Sequence, residues 1–251
     1  MKNELFDHAY QYAGLTDIGQ KRQSNQDRVI LCPQDGFFAV SDGMGGLRLG
    51  GEAAEYVAGS MPPLLDLCVK ECKSDTSPEE AAALLSTMAQ MLSDQLYRQG
   101  NNRRFDYGAT LAGAWLYRDK AIFLGLGDSR GYLVRDGKLN QVTLDMNVAG
   151  LMVKNGQMTP EEAAHSPASS RLTAFVGMEA PATPETYIID VRPGDALLLC
   201  SDGLYGVAPE QEIVSALASG KAPEDICRDL IDSANRHGGR DNISAVYVKI
   251  E

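Results

Sequence analysis

The chain has 251 residues, 44% of them hydrophobic and 23% charged, and carries a formal net charge of −11. A chain of that size buries a substantial core, and with no linker or low-complexity tract to divide it, one domain over 1–251 is expected. Acidic surface repels nucleic-acid phosphates, so no nucleic-acid partner is expected. The charge suits a protein that gathers divalent cations, although a solvated acidic surface gives the same balance.

Five cysteines, Cys32, Cys68, Cys72, Cys200 and Cys227, contain no Cys-x-x-Cys pair. That argues against a disulfide framework or a thiolate zinc site and for a reducing compartment. Three scattered histidines, His8, His165 and His237, offer no imidazole site. The opening residues lack the apolar stretch of a secretion signal, and no apolar run reaches membrane-spanning length. A cytoplasmic protein without a membrane partner is expected.

In chain order, Tyr12 to Gly19 alternates like a strand, and Val29 to Cys32 reads as another. The polar tract between them, 20–28, reads as a surface hairpin, or as a segment whose Arg22 and Asp27 face the same rim as Asp42. Phe37 to Val40 is a short buried strand. Glu52 to Lys73 is helical in composition, with a break or kink expected at Pro62-Pro63. Ser77-Pro-Glu-Glu80 is a capping box opening a helix to about Arg98. Its core face holds Ala82, Leu85, Met88, Ala89, Leu92 and Leu96, and Met91 is read with Met88 as core packing.

The middle is strand-rich: Ala109 to Tyr117 and Lys120 to Leu126, then Gly131 to Arg135 paired with Leu139 to Thr143 across Asp136-Gly137. Such a meander does not suit a doubly wound parallel sheet. A second capping box, Thr159-Pro-Glu-Glu162, opens a short helix in an otherwise irregular stretch, 145–177. Strands at Tyr187–Val191 and Ala196–Cys200, helices at Pro209–Ser219 and Pro223–Arg236, and a strand at Ile243–Ile250 complete the chain. The order suggests antiparallel sheets covered by antiparallel helix pairs.

Four apolar strands have an aspartate at one end: Asp42 in Ser-Asp-Gly-Met-Gly-Gly46, Asp128 in Gly-Asp-Ser-Arg130, Asp202 in Ser-Asp-Gly-Leu204, and Asp241 in Arg-Asp-Asn242. Singly, each Asp-Gly reads as a turn. Together they place carboxylates where strand ends converge on one rim. Glycine beside Asp42 would also let a backbone carbonyl approach an ion. Gly127-Asp-Ser-Arg-Gly131 matches a serine-hydrolase elbow in letters, but a strand follows where that motif needs a helix. No Cys-x5-Arg loop and no Gly-x4-Gly-Lys-Ser/Thr loop exists. Oxygen donors without a protein nucleophile point to Mg²⁺ or Mn²⁺ and phosphoryl chemistry, with Arg22 available to fork a phosphate. Singly, Arg22 reads as a loop charge and Asp27 as a turn residue.

These residues resemble the metal-dependent serine/threonine protein phosphatases of the PP2C (PPM) type in their compact bacterial form. The motifs occur in family order: Asp17-x-Gly19-x-x-Arg22-x-x-Asn25-Gln-Asp27, Asp42-Gly-Met-Gly-Gly46, Gly108-x-Thr110, Gly127-Asp-Ser-Arg130, Ser201-Asp-Gly-Leu204 and Arg240-Asp-Asn242. The resemblance implies an α+β fold, a four-layer α-β-β-α sandwich of two antiparallel sheets flanked by antiparallel helix pairs. It implies two core Mn²⁺ or Mg²⁺ ions sharing a water that attacks phosphoserine or phosphothreonine. Asp42 would bridge them, Gly43 would lend its carbonyl, and Asp202 and Asp241 would hold one ion. Asp27 would act mostly through water, Arg22 would bind the phosphate, and Asp128 with Asp202 would form a third-ion position. Residues 145–177 correspond to the family's flap. The implied partners are phosphorylated proteins and an opposing serine/threonine kinase, with the enzyme a monomer.

The chain departs from the family pattern in places. Met44 stands where animal members carry a histidine, so no side-chain acid is assigned. Gln26 replaces a frequent glutamate, and the run Leu47 to Gly51 is one residue longer, implying a different loop into the first helix. Asp145-Met-Asn147 and Ala174 also differ, and both bear on substrate preference. A catalytically silent phosphoprotein scaffold and a serine esterase are the rival readings.

Overall fold

Antiparallel strands that read as unbroken apolar runs need cover on both faces, and the strands here have it. The protein, seen in a computed structural model, is described over residues 5–44, 46–103, 107–179 and 181–251. The expectations resting on Gly45 of the glycine run and on residues 1–4 at the start lie outside the described residues.

The strands are β1 (Tyr10–Asp17), β2 (Asp27–Cys32), β3 (Phe37–Met44), β4 (Gly108–Ala109), β5 (Leu111–Tyr117) and β6 (Lys120–Leu126). They continue as β7 (Arg130–Arg135), β8 (Lys138–Gln141), β9 (Glu185–Asp190), β10 (Ala196–Cys200) and β11 (Ile243–Ile250). One sheet has the order β1-β11-β10-β7-β8 and the other β2-β3-β5-β6-β9, with β4 added to β3. Every pairing within them is antiparallel. The helices are α1 (Gly46–Glu71), α2 (Pro78–Arg103), α3 (Val148–Lys154), α4 (Pro160–Ala164), α5 (Asp202–Tyr205), α6 (Glu210–Leu217) and α7 (Pro223–Arg236).

Period-two alternation sorts each strand between two cores. In β10, Ala196, Leu198 and Cys200 face α6 and α7, while Leu197 and Leu199 face the other sheet. In β5, Leu111, Trp115 and Tyr117 pack toward α1 and α2, while Ala112, Ala114 and Leu116 point between the sheets. Three cores separate four layers, as expected: a helix pair, a sheet, a sheet, a helix pair. Among the described residues no helix is long and apolar enough to cross a membrane.

Both capping boxes form: Glu80 N–H donates to Ser77 Oγ (3.2 Å), and Glu162 N–H to Thr159 Oγ1 (3.2 Å). The β7–β8 turn falls at Asp136-Gly137, both with positive φ (52° and 73°), the primed-turn geometry a two-residue hairpin favours.

Other expectations are corrected. Residues 18–26 do not make a hairpin, because β1 pairs with β11 in one sheet and β2 with β3 in the other. The tract crosses between sheets, the alternative that carries Arg22 to the rim. No break divides α1 at Pro62-Pro63. The lost amide donors are tolerated because Ala53, Ala54, Val57, Met61 and Leu65 bury one continuous face. Gly46 to Gly51 lie in α1, so the longer run there extends the helix start and does not form a loop. The second helix continues to Arg103, beyond the expected Arg98. Met88 is buried, but Met91 is 49% exposed, three residues along from the packed face. Segment 145–177 holds α3 as well as α4, with Asn147 Oδ1 capping α3 through Gly150 N–H (2.8 Å). All five cysteines are free thiols.

Phe123 is fully buried between the sheets, against Gly131, where a Cβ would come within 2.7 Å of its ring. Phe123→Ala should cost about 3–5 kcal/mol through lost burial and a residual cavity. Urea denaturation followed by the single tryptophan, Trp115, measures this. A loss below about 1 kcal/mol would mean that the inter-sheet layer relaxes freely around the hole.

Candidate active site

Register brings the first two carboxylates together. Asp27 opens β2 directly opposite Asp42 on β3, so their side chains share a face. Asp27 is 1% exposed. Its Oδ2 accepts from the hydroxyls of Ser201, just past the end of β10, and Ser244, in β11 (2.7 Å each), on the side of the other sheet. One carboxylate thus fastens the two sheets at their common end. Its other oxygen, Oδ1, is buried without a partner.

The backbone of Asp42 is clamped from the side. Its N–H donates to Thr110 Oγ1 (3.0 Å), and Thr110 N–H donates to its carbonyl (2.8 Å). The Thr110 hydroxyl also lies 2.6 Å from Ser129 Oγ, which ties Asp42 to the Asp128 turn after β6. Gly43 packs on α1 so closely that a Cβ would sit 2.0 Å from Gly50 O.

Asp202 is the first residue of α5, directly after β10. A Cβ on Gly203 would meet Asn242 O at 1.9 Å, so this turn lies against the segment carrying Asp241. Asp202 Oδ1 is again buried without a partner. Asp241 accepts from its neighbour Asn242 N–H (2.8 Å) through Oδ1 and from Arg22 Nη2 (2.5 Å) through Oδ2.

The outcome is a cleft of about 1130 Å³ whose walls include Arg22, Asp42, Gly43, Asp128, Asp202 and Asp241, with Asp27 just beneath its floor. All seven residues singled out from the sequence are therefore neighbours. Burial pushes Asp42 well above the usual carboxylate range, and repulsion from Asp27, Asp202, Asp241 and Asp128 adds to it. Asp202 rises to about 7, chiefly by burial and then by Asp128 and Asp241. Asp128 rises to about 6 through burial and Asp145. Asp27 is raised by burial, against the lowering effect of its two serine bonds.

Among the described residues no three acidic, histidine or cysteine side chains are already arranged around a point where an ion would sit. The donor set nevertheless fits a hard divalent cation. It consists of carboxylate oxygens, two of them buried and unpartnered, in a cluster of like charge that a cation would neutralise.

Other polar contacts at the cleft were not assigned roles from sequence. Arg130 makes a two-pronged pair with Asp145 (Nε 2.8 Å, Nη2 2.7 Å) and stacks 3.6 Å from the Tyr205 ring centre, whose hydroxyl donates to Asp128 O (2.9 Å). The Asn242 side chain holds residues 18–26 in place, donating to Ile18 O (2.9 Å) and Ser24 O (3.0 Å) and accepting from Gln26 N–H (2.8 Å). Motif spacing marked Thr110, Arg130 and Asn242, but only the contacts show what they do. Ser129 is 3% exposed and bonded to Thr110, unlike the exposed nucleophile of a hydrolase elbow.

Comparison with known proteins agrees with this geometry. Protein phosphatase 2C matches residues 18–245. The serine/threonine phosphatase stp of Listeria welshimeri serovar 6b is 31% identical over 239 residues, covering 93% of each chain. Serine/threonine phosphatase Stp1 from Staphylococcus aureus superposes with a TM-score of 0.87 at 25% identity, over 100% of this chain and 99% of that one. The catalytic domain of serine/threonine protein phosphatase PstP, solved with two manganese ions, gives a TM-score of 0.81 at 29% identity, covering 96% and 98%. The chain belongs to the protein phosphatase 2C family. It is a metal-dependent serine/threonine protein phosphatase.

The clamp on Asp42 can be tested by an isosteric change. Thr110→Val removes the acceptor of the Asp42 amide and should cost about 1–3 kcal/mol of stability. Turnover of p-nitrophenyl phosphate should fall about tenfold or more through misplacement of Asp42. Thr110→Ser, which keeps the hydroxyl, should recover most of it. Equal rates in the Val and Ser variants would show that the hydroxyl positions nothing.

Proposed function

We propose that this single domain removes phosphate from phosphoserine and phosphothreonine in proteins, opposing a serine/threonine kinase, with two core Mn²⁺ or Mg²⁺ ions at the carboxylate cluster. The observation that carries the reading is the convergence of Asp27, Asp42, Asp202 and Asp241 from both sheets, with two buried oxygens awaiting a partner. Asp42, Asp202 and Asp241, with the Gly43 carbonyl, would hold the ions, Asp42 between them and Asp202 and Asp241 on one, and Asp27 would contribute mostly through water. When bound, the ions supply Lewis acidity and an activated water at neutral pH.

The chain's own residues do the rest. Arg22 is half-exposed at the mouth of the cleft and presents its guanidinium fork to the phosphate. Met44, on the cleft wall, has no proton to give, so the side chain at this position does not serve as the acid for the leaving oxygen. Residues 145–177 form the flap: Met146 N–H bonds Gly127 O (2.8 Å) at its root, and its far part brings His165, Ser169 and Ser170 to the cleft. Five free thiols suit a reducing compartment such as the cytoplasm.

Hydrolysis of p-nitrophenyl phosphate should require Mn²⁺ or Mg²⁺ and stop on chelation. Asp241→Asn should lower turnover at least about tenfold, a loss of about 1.4 kcal/mol or more in barrier stabilisation. An unchanged rate removes Asp241 from the site, and a silent scaffold would show no turnover at any metal concentration.

Asp128, together with Asp202, is assigned to a third, weaker ion. Calorimetric titration with Mn²⁺ should find that Asp128→Ala keeps the two tighter binding events and loses the weaker one. Loss of both tight events would contradict the assignment.

A further inference from the structure

Two loops at the mouth of the cleft are fastened backbone to backbone. Gln20 N–H donates to Gly239 O (2.7 Å), and the Asn242 side chain bonds Ile18 O and Ser24 O on the opposite segment. Glycine is required at the seam: a Cβ on Gly19, where φ is +76°, would lie 2.2 Å from Asp241 O. A Cβ on Gly239, where φ is +46°, would lie 2.8 Å from Gln20 N. With the backbones in contact, residues 18–22 and 238–242 form one ledge.

The ledge contributes three cations to the cleft wall: Lys21, Arg22 and Arg240. Arg22 is engaged by Asp241 (2.5 Å). Lys21 and Arg240 are exposed, and among the described residues neither has a hydrogen-bond or ion-pair partner. Asp241 is the acidic residue of the ledge, and it is engaged by Arg22. Asp42, Asp128, Asp202 and Asp241 belong to the carboxylate cluster, and Asp145 is neutralised by Arg130 (2.7 Å). Unpaired positive charge beside the phosphate-binding arginine is out of keeping with a chain of net charge −11.

We propose that this ledge is a specificity element: Lys21 and Arg240 receive a second negative charge carried near the scissile phosphoresidue. The preferred substrates are then phosphoproteins whose phosphorylated segment is acidic or multiply phosphorylated. This rests on the phosphatase reading above and concerns choice among substrates, not the chemistry they share. Each exposed charge pair should be worth roughly 1.5- to 5-fold in kcat/KM.

The test uses the whole chain with Mn²⁺ and four phosphothreonine peptides of equal length: neutral flanks, glutamate flanks, a second phosphothreonine two residues away, and lysine flanks. The readout is the ratio of kcat/KM for each charged peptide to that for the neutral one within a given variant, so that changes in shared chemistry cancel. The wild-type protein should prefer the glutamate and doubly phosphorylated peptides, by a margin that shrinks as salt is raised. A larger gain from the second phosphate than from glutamate assigns the ledge to multiply phosphorylated segments; equal gains assign it to acidic side chains. The double variant Lys21→Gln/Arg240→Gln should bring the ratio close to one, Lys21→Arg/Arg240→Lys should restore it, and Lys21→Glu/Arg240→Glu should favour the lysine-flanked peptide. An unchanged ratio in the Gln double variant, or a wild-type preference for neutral or basic flanks, overturns the ledge and leaves the phosphatase reading intact. Failure of the wild-type protein to hydrolyse any of the four peptides sinks both.

Discussion

Repulsion among buried carboxylates is the constraint around which this structure is built. Asp42 and Asp202 are pushed upward by burial and by neighbouring carboxylates, Asp128 by burial and by Asp145, and Asp27 lies beneath them out of water. Left alone, such groups would separate or take up protons. They stay together because each is fixed by backbone that the sheets have already ordered: Asp27 by its register opposite Asp42, Asp202 by the end of β10, and Asp241 by the start of β11. The energy that holds the like charges in place comes from three apolar layers distant from them.

The sheets must also be prevented from sliding at this end. Apolar packing between them has little directional preference. Asp27 supplies direction, since Ser201 reaches it from just past the end of β10 and Ser244 from β11 while it sits in β2. Ser244 Oγ lies a further 2.8 Å from Thr16 Oγ1, and Asn25 Nδ2 donates to Thr16 (2.8 Å), so the contact extends to the end of β1 and the crossing segment. On the other flank, Thr110 and Ser129 link β3 to the turn after β6. Hydroxyls suit these places because they donate and accept within one short side chain.

Much of this was legible in the sequence. Strands covered on both faces spell continuous apolar runs, so β10 and β11 are found at their true limits, and the aspartates at the strand ends announce a common rim. The capping boxes and the Asp136-Gly137 turn are local and could be read locally. What escaped depends on distant partners. Nothing in residues 18–28 says that β1 and β2 belong to different sheets, because that is decided by β11 and β3. The uninterrupted passage of α1 through two prolines is likewise set by the core it covers, against local preference. Asn242 sits beside a recognisable aspartate, but its hold on Ile18 and Ser24 spans more than 200 residues of chain. Ordinary periodicity carries no trace of such a contact.

The Arg22–Asp241 pair shows why an arginine is needed at that point. A guanidinium has five donors in a planar fork, and only Nη2 is committed to Asp241. Nη2 carries two hydrogens, one on each edge of the fork, so the edge that Asp241 does not use keeps two donors to meet phosphate oxygens two at a time. A lysine would have to choose, since its ammonium is a point charge without a fixed second edge. The zipped backbone beneath it, with Gly19 against Asp241 O, fixes the distance over which this sharing works. The same few contacts therefore set where the acidic cluster ends and where the phosphate begins, and they do so before either ion or substrate arrives.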